Sequence, residues 1–445
     1  MTEPPERTSV DGSAIARFFQ AVERSNHVFR IAPAYAFRSL RGWITGNAAE
    51  KRQIRAVERD YEDRAIGPLD IAELTTAFYD GYKADERFER IQHDERRKIA
   101  HLSDLVSRGI IRRQRELREE DESVMALRAQ HAKHHGCVRA RFIVETKLAD
   151  EYSVGVFQPG QIYDATLRFS NAHGSRRPDR EGDGRGLAIK LNFGEDQRPG
   201  SPIAERWGLT GVGNHAEQDF LLTDFPVFFV DDITEYDRFL TITESNNPSW
   251  LIAIRFILFF VPMRIRKGLS FFRLFRNKID STLNNAYHSM SPYLFGKDKV
   301  VRYLVKPTSL EGPATGVSSE SADFLRERMA IQLAPGSNGS SGAEPVATFD
   351  FCIQIRANPS AGDVERASRA WRDEKDRTVR LGRIEIPPQE FDTQSCEYRC
   401  QNLVFSPWNC IEMHRPIGGI NRSRLLVYFI SATLRRRMNM VERAD

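Results

Sequence analysis

The sequence predicts an α+β chain: an antiparallel β core, barrel or sandwich, preceded by a charged helical arm and followed by a helix. Residues 1–124 read as helical, and in "DERRKIAHLSDLVSRGIIRRQRELREEDES" the apolar positions Ile99, Leu102, Leu105, Val106 and Ile110 recur at helical spacing. From about residue 137 the texture changes. "CVRARFIVE", "YDATLRFSN", "GRGLAIKLNF", "DFLLTDFPVFFV" and "ATFDFCIQIRA" are short runs rich in β-branched and aromatic residues, punctuated by Gly, Pro and Asp. Near the C-terminus, "NRSRLLVYFISATLRRRMN" has the length and spacing of a helix.

These elements divide the chain into an arm, 1–124, and a main domain, 125–445. A chain of 445 residues has room for more than one packing unit, or for one large core with an added arm. The arm suits packing on the body or on a partner subunit, so a homo-oligomer is among the expected assemblies. Within the main domain, residues 250–277, "WLIAIRFILFFVPMRIRKGLSFFRLFRN", stand apart. The apolar run from Trp250 to Met263 contains Arg255 and is shorter than the roughly 20 residues a membrane span needs. Its interleaved Arg, Lys and Phe suit a helix packed on the core, or one lying in a membrane interface. An isolated helical piece is expected within 312–345, and "DVERASRAWRD" reads as helical, "RLGRIEIPPQE" as a strand entering a turn.

Composition excludes some classes. The net charge of +4 gives no general nucleic-acid signature, and 40% hydrophobic with 28% charged residues is an ordinary soluble balance. Five cysteines, Cys137, Cys352, Cys396, Cys400 and Cys410, are odd in number and form no CxxC, and the segment MTEPPERTSVDGS lacks an apolar signal core. The expectation is free thiols in a reducing cytoplasm. Cys396 and Cys400 have the spacing of half a zinc site, but no second pair follows. Gly182, Gly184 and Gly186 in "EGDGRGLAIK" precede a strand rather than a helix, so no helix N-terminus is present to hold a phosphate.

Chemistry concentrates in two places. "RAQHAKHHG", residues 128–136, carries His131, His134 and His135, which could ligate a metal, move protons or sit in a basic loop; no carboxylate or cysteine lies locally to complete a zinc site. In the last helix, Arg424 and Tyr428 are four apart and share a face. An arginine held against a phenol oxygen stabilises the phenolate, and tyrosine is a known proximal ligand of haem iron.

Four segments in order resemble the haem-dependent catalase superfamily, closest to its divergent branch of catalase-related proteins that act on fatty-acid hydroperoxides, the allene oxide synthase-like enzymes. "RAQHAKHHG" resembles the distal-histidine segment, which implies that His131 is the distal residue and Arg128 a haem-propionate partner. "LRFSNAHGSRRPDREGDGRGLAIKLNF" resembles the RFS…D-x-RGFA-x-KF segment, implying a propionate arginine at Arg168 and a serine at Ser170 that supports the histidine. "QDFLLTDFPVFFVDD" resembles DLVGNNTPVFF-x-xD, and "RLLVY" the proximal R-x-x-x-Y. The last implies Tyr428 as iron ligand, Arg424 as its partner and Arg435 as a third propionate contact.

Departures from the family pattern fall on the distal side. Thr223 stands where catalases carry a distal asparagine, offering one rotating donor in place of an amide's two. Gln130 stands where catalases have valine, and Tyr236 falls where a phenylalanine stacks on the haem. The resemblance therefore implies a catalase-like antiparallel barrel with a wrapping segment and C-terminal helices, binding haem b. The expected activity is that of a peroxidase-type oxidoreductase that cleaves peroxide O–O bonds, with organic or fatty-acid hydroperoxides as substrate and peripheral membrane contact through 250–277. A hydrogen peroxide-dismutating catalase and a haem protein without turnover are the alternatives. His134 and His135 are expected on solvated or inter-segment surface.

Overall fold

The computed structural model describes residues 71–120, 125–193, 217–244, 277–308, 317–336, 344–371 and 377–439, with Arg255, Leu258 and Phe259. Along the chain run α1 (Ile71–Gly81), α2 (Glu95–Glu120), β1 (His134–Val144), β2 (Ile162–Asn171), β3 (Arg185–Asn192), β4 (Glu217–Thr223) and α3 (Ile233–Thr243). Then follow β5 (Tyr287–His288), β6 (Tyr293–Phe295), β7 (Lys299–Pro307), α4 (Phe324–Leu333), β8 (Ala347–Ile355), α5 (Ala361–Glu365), β9 (Arg377–Ile386), α6 (Gln394–Asn402) and α7 (Gly419–Met438).

All the pairings are antiparallel, in the order β5-β4-β3-β2-β1-β9-β8-β7-β6. Pairing of β5 with β7 closes eight strands into a barrel and leaves β6 as an extra strand on β7. The period-two pattern explains closure. Val138, Ala140, Phe142 and Val144 on β1, Leu167 and Phe169 on β2, Leu187, Ile189 and Leu191 on β3 and Phe349, Phe351 and Ile353 on β8 all enter one buried cluster. Eight strands enclose a space that side chains can just fill, and aromatic contacts such as Phe142–Phe351 at 5.0 Å fill it.

Helices pack outside the barrel. Ile99, Leu102, Val106 and Ile110 of α2 join Ile233 and Phe239 of α3 and Ile420, Leu426, Ile430 and Leu434 of α7 in a second core. The described part of the arm thus packs on the main body, and a buried ion network secures it. Arg422 of α7 reaches Glu95 at 2.5 Å, Glu89 at 2.7 Å and Glu365 at 3.1 Å, while Arg415 meets Glu89 at 3.3 Å. Tyr79 and Tyr82 donate to Glu95 and Glu89. A buried charge left without its partner is costly, so these pairs fix where α7 begins.

Several expectations change. Cys137 and Cys400 form a disulfide with Cα atoms 5.7 Å apart, 263 residues apart in sequence. These two are not the free thiols expected, whereas Cys352, Cys396 and Cys410 are free. Cys400 is likewise unavailable to a zinc half-site with Cys396. Of the two settings expected for His134 and His135, the structure shows the inter-segment one, and buried: His135 Nε2 lies 2.8 Å from Asn171 Oδ1, and His134 Nε2 2.9 Å from Glu397 Oε2. The register shift between His134 and Gly136 turns this stretch into the protein. The helix expected over "DVERASRAWRD" ends at Glu365, because Ala367 spends its backbone on Asp231 and Phe228, and Trp371 turns under Arg302 at 4.3 Å. The segment 250–277 lies outside the described residues except for Arg255, Leu258, Phe259 and Asn277; among the described residues no helix is long and apolar enough to cross a membrane.

Candidate functional site

The alternation that sends Leu167, Phe169, Leu187 and Leu222 into the barrel sends Arg168, Ser170, Gly186 and Thr223 outward. Ladder pairing places Ser170 beside Gly186, Gly186 beside Thr223 and Thr223 beside His288, so these residues form a strip across neighbouring strands.

His131 sits over this strip, held by its own backbone. Its φ of +58° lies in the left-handed region, unusual for a residue with a side chain. Its N–H donates to Ala172 O at 3.1 Å, and its carbonyl accepts from Arg168 Nη2 at 2.7 Å. Its ring Nδ1 lies 3.0 Å from Ser170 Oγ. Burial, then the charges of Arg168, Arg424 and Arg128, push its pKa down to about 3, so the ring is neutral at pH 7. In the tautomer that donates Nδ1–H to the serine, Nε2 carries the lone pair. Gly186 makes the approach possible: a Cβ there would lie 2.5 Å from His131 Nδ1 and 2.8 Å from Ser170 Oγ.

Tyr428 lies on α7, one turn beyond Arg424. Arg424 Nη2 donates to the Tyr428 oxygen at 3.2 Å, and its guanidinium stands 5.3 Å from the ring centre. Arg424 Nη1 is braced by Ser291 Oγ and Asn421 Oδ1, both at 3.2 Å. Burial works against the Arg424 charge, but Tyr428, Tyr293 and Tyr236 together outweigh it and hold the guanidinium above its ordinary value.

Three further arginines converge. Arg168 and Arg435 are each only 3% exposed, and Arg128 is half-buried. Arg128 donates to the carbonyls of Gln401 at 3.2 Å, Cys400 at 3.3 Å and Leu403 at 2.5 Å, and Arg435 donates to the same Leu403 carbonyl at 2.9 Å. Among the described residues none of the three has a carboxylate within ion-pair distance, and Nε of both Arg168 and Arg435 is buried without an acceptor. Burial and mutual repulsion depress all three: Arg168 falls to about 9, while Arg128 and Arg435 fall well below the usual arginine range. A cluster of desolvated cations of this kind calls for an anion.

The structure thus brings His131, Ser170, Arg168, Arg128, Arg424, Tyr428 and Arg435 to one place. Thr223 is buried on the same strip, its hydroxyl turned toward Phe225 O at 3.3 Å. Tyr236, on α3, packs edge-on to Phe228 at 5.5 Å; burial first, then the nearby Tyr428, raises its pKa. Gln130, a polar neighbour that the sequence offers to hold the imidazole or hydrogen-bond a ligand, is instead exposed over the turn at Gly174, and among the described residues no hydrogen bond joins it to His131. Sequence reading missed Gly186 and the Cys400, Gln401 and Leu403 carbonyls. The glycine lay inside a matched segment and could have been asked what it abuts; backbone acceptors leave no signature in side-chain identity.

No protein-family model and no curated protein matches the chain. Solved structures do. A fungal catalase superposes with a TM-score of 0.51 at 16% identity, covering 70% of this chain and 60% of that one. Catalase A from Saccharomyces cerevisiae gives a TM-score of 0.50 at 16% identity, covering 72% and 63%. The chain spans about 60% of the length of these catalases. At this identity the likeness concerns the fold, and the fold, an eight-stranded antiparallel barrel wrapped by helices, is the catalase fold.

Proposed function

We propose that the chain binds haem b and cleaves the O–O bond of peroxides, with organic hydroperoxides, fatty-acid hydroperoxides among them, as preferred substrates. The observation that carries this is the Arg128–Arg168–Arg435 cluster, three converging guanidiniums without a carboxylate partner among the described residues. A flat ligand bearing two carboxylates answers that need, and Tyr428 with Arg424 beside it is a donor suited to ferric iron. The catalase fold of the solved neighbours supports the same reading.

Ferric haem, when bound, supplies the redox centre for O–O cleavage. The chain supplies the rest. His131 Nε2 takes the proton from the peroxide and returns it to the leaving oxygen, while Ser170 keeps the ring oriented. Arg424 donates to the Tyr428 oxygen and orients it as the donor that would meet the iron. Thr223, committed to its own turn, gives a bound peroxide less help than an amide would, which favours organic hydroperoxides over dismutation of hydrogen peroxide. A plain catalase is the second reading, favoured by the solved neighbours.

The test compares hydrogen peroxide with a polyunsaturated fatty-acid hydroperoxide on one hemin-loaded preparation. Fast lipid conversion with little oxygen release is expected. Brisk oxygen release would favour the catalase reading. Absence of both, with hemin bound, would refute an enzymatic role.

A further inference from the structure

The disulfide joins two parts of the arginine cluster. Cys137 faces Arg168 in the β1–β2 ladder, so one end of the bond is the register neighbour of one arginine. Cys400 lies in the last turn of α6, and its carbonyl accepts from Arg128 at 3.3 Å. The acceptors that follow belong to the same stretch: Gln401 O binds Arg128, and Leu403 O binds both Arg128 and Arg435. Those carbonyls are available because α6 ends there, since the last turn of a helix leaves its acceptors unpaired and favours cations. The N-terminal half of α6 has its own ties, Glu397 meeting His134 and Arg326 at 2.9 Å each. Its C-terminal turn is fastened to the barrel covalently by the disulfide alone.

We propose that the Cys137–Cys400 disulfide is a positioning element of the cofactor site: it fixes the carbonyls that aim Arg128 and Arg435, so its redox state sets how firmly the carboxylates of a bound haem are held. The inference rests on the haem reading above. Reduction by dithiothreitol breaks the S–S bond, delivers two electrons and two protons to give two cysteine thiols, and closes the reductant into its own cyclic disulfide. Cys137 is half-buried, which gives a small reductant a way in. With the tether gone, the C-terminal turn of α6 can shift, and the two arginines lose fixed acceptors while the barrel and the Tyr428 helix stay in place.

The test uses the full chain loaded with hemin, in oxidised form and after reduction with the reductant removed. Haem loss is followed by transfer to an excess of apomyoglobin. The reduced protein is expected to lose haem about tenfold faster, as is Cys137→Ser, whereas Cys396→Ser, a free thiol on the same helix, behaves like the parent chain. Reoxidation restores slow loss. The same comparison with the dimethyl ester of haem, which has no free carboxylates, is expected to show no dependence on the disulfide. Equal loss from oxidised and reduced protein would overturn the inference and leave the haem reading standing. So would an equal redox effect for haem and its ester, because the bond would then only stiffen the fold. Failure of the oxidised chain to bind hemin one-to-one would overturn the haem reading and the inference with it. Far-UV circular dichroism of the reduced protein and of Cys137→Ser confirms that each is folded.

Discussion

Replacing Gly186 with alanine puts a methyl group where the His131 ring now sits. The new Cβ would stand 2.5 Å from Nδ1 and 2.6 Å from Cε1 of His131, and 2.8 Å from Ser170 Oγ. Carbon contacts relax at roughly 3.5–4.0 Å, so the imidazole must retreat by about 1 Å. It cannot do so freely, because its N–H is bound to Ala172 and its carbonyl to Arg168. Gly186 lies within β3, a setting alanine tolerates, so the cost in stability is that of overpacking, about 1–3 kcal/mol. The cost in function is of similar size. A displacement of this size in a proton-transferring group costs on the order of 100-fold in rate, about 2.7 kcal/mol of barrier. The assay pairs a Soret titration, expected to show unchanged hemin affinity, with stopped-flow peroxide turnover, expected to fall about 100-fold. Full turnover with hemin bound would refute the placement of His131 as the acting base. A loss of hemin binding in proportion would assign Gly186 to cofactor retention instead.

Arg435→Met should act in opposite directions on the two forms. It removes a buried cation without a carboxylate partner, so the cofactor-free chain gains about 1–3 kcal/mol in urea unfolding while hemin affinity drops at least about tenfold; loss of stability in the apo form would contradict the uncompensated-charge argument. Thr223→Asn restores an amide to the strip and should raise oxygen release from hydrogen peroxide about tenfold, an unchanged rate showing that this position does not decide dismutation. Acid should destabilise the fold. Burial pushes His134 down to about 4 and His414 to about 3, so below pH 6.5 the unfolded chain takes up protons the folded chain refuses. Each removes about 1.4 kcal/mol per pH unit, until about pH 4 and 3 respectively. Asp183 and Asp219, each raised to about 6 chiefly by burial, work the other way below pH 6, but His131, pushed down to about 3, and His173 and His288, to about 4, add to the histidine side, so the net expectation is a melting temperature that falls between pH 6.5 and 4; a flat or rising profile would count against buried neutral histidines.

The barrel was legible because its signal is local. Alternation along "CVRARFIVE" or "TLRFSN" sends residues to two faces, and a closed sheet uses both faces differently. The same alternation fixed which residues could form the site: once Phe169 and Leu187 are known to be inside, Ser170 and Gly186 must be outside and adjacent. What could not be read was non-local. Cys137 and Cys400 are 263 positions apart, and no spacing rule connects them. His134 and His135 looked like a basic loop because their partners, Glu397 and Asn171, come from other strands and helices. The helix expected over "DVERASRAWRD" lost to tertiary contacts that propensity does not see.

The arginine cluster bears on more than cofactor retention. Burial lowers the His131 pKa, and the charges of Arg168, Arg424 and Arg128 lower it further. A base that weak accepts protons poorly at pH 7, so burial first and the neighbouring arginines second hold the His131 ring in check. On the haem reading, carboxylates placed against Arg128 and Arg168 would cancel their part of that positive field and raise the His131 pKa, while burial, its largest cause, would still hold it low. Arg168 couples the two events mechanically as well, because one of its nitrogens holds the His131 carbonyl at 2.7 Å. On that reading, binding and acid–base competence would be linked through Arg168, because the guanidinium that would meet a carboxylate also fixes the His131 carbonyl.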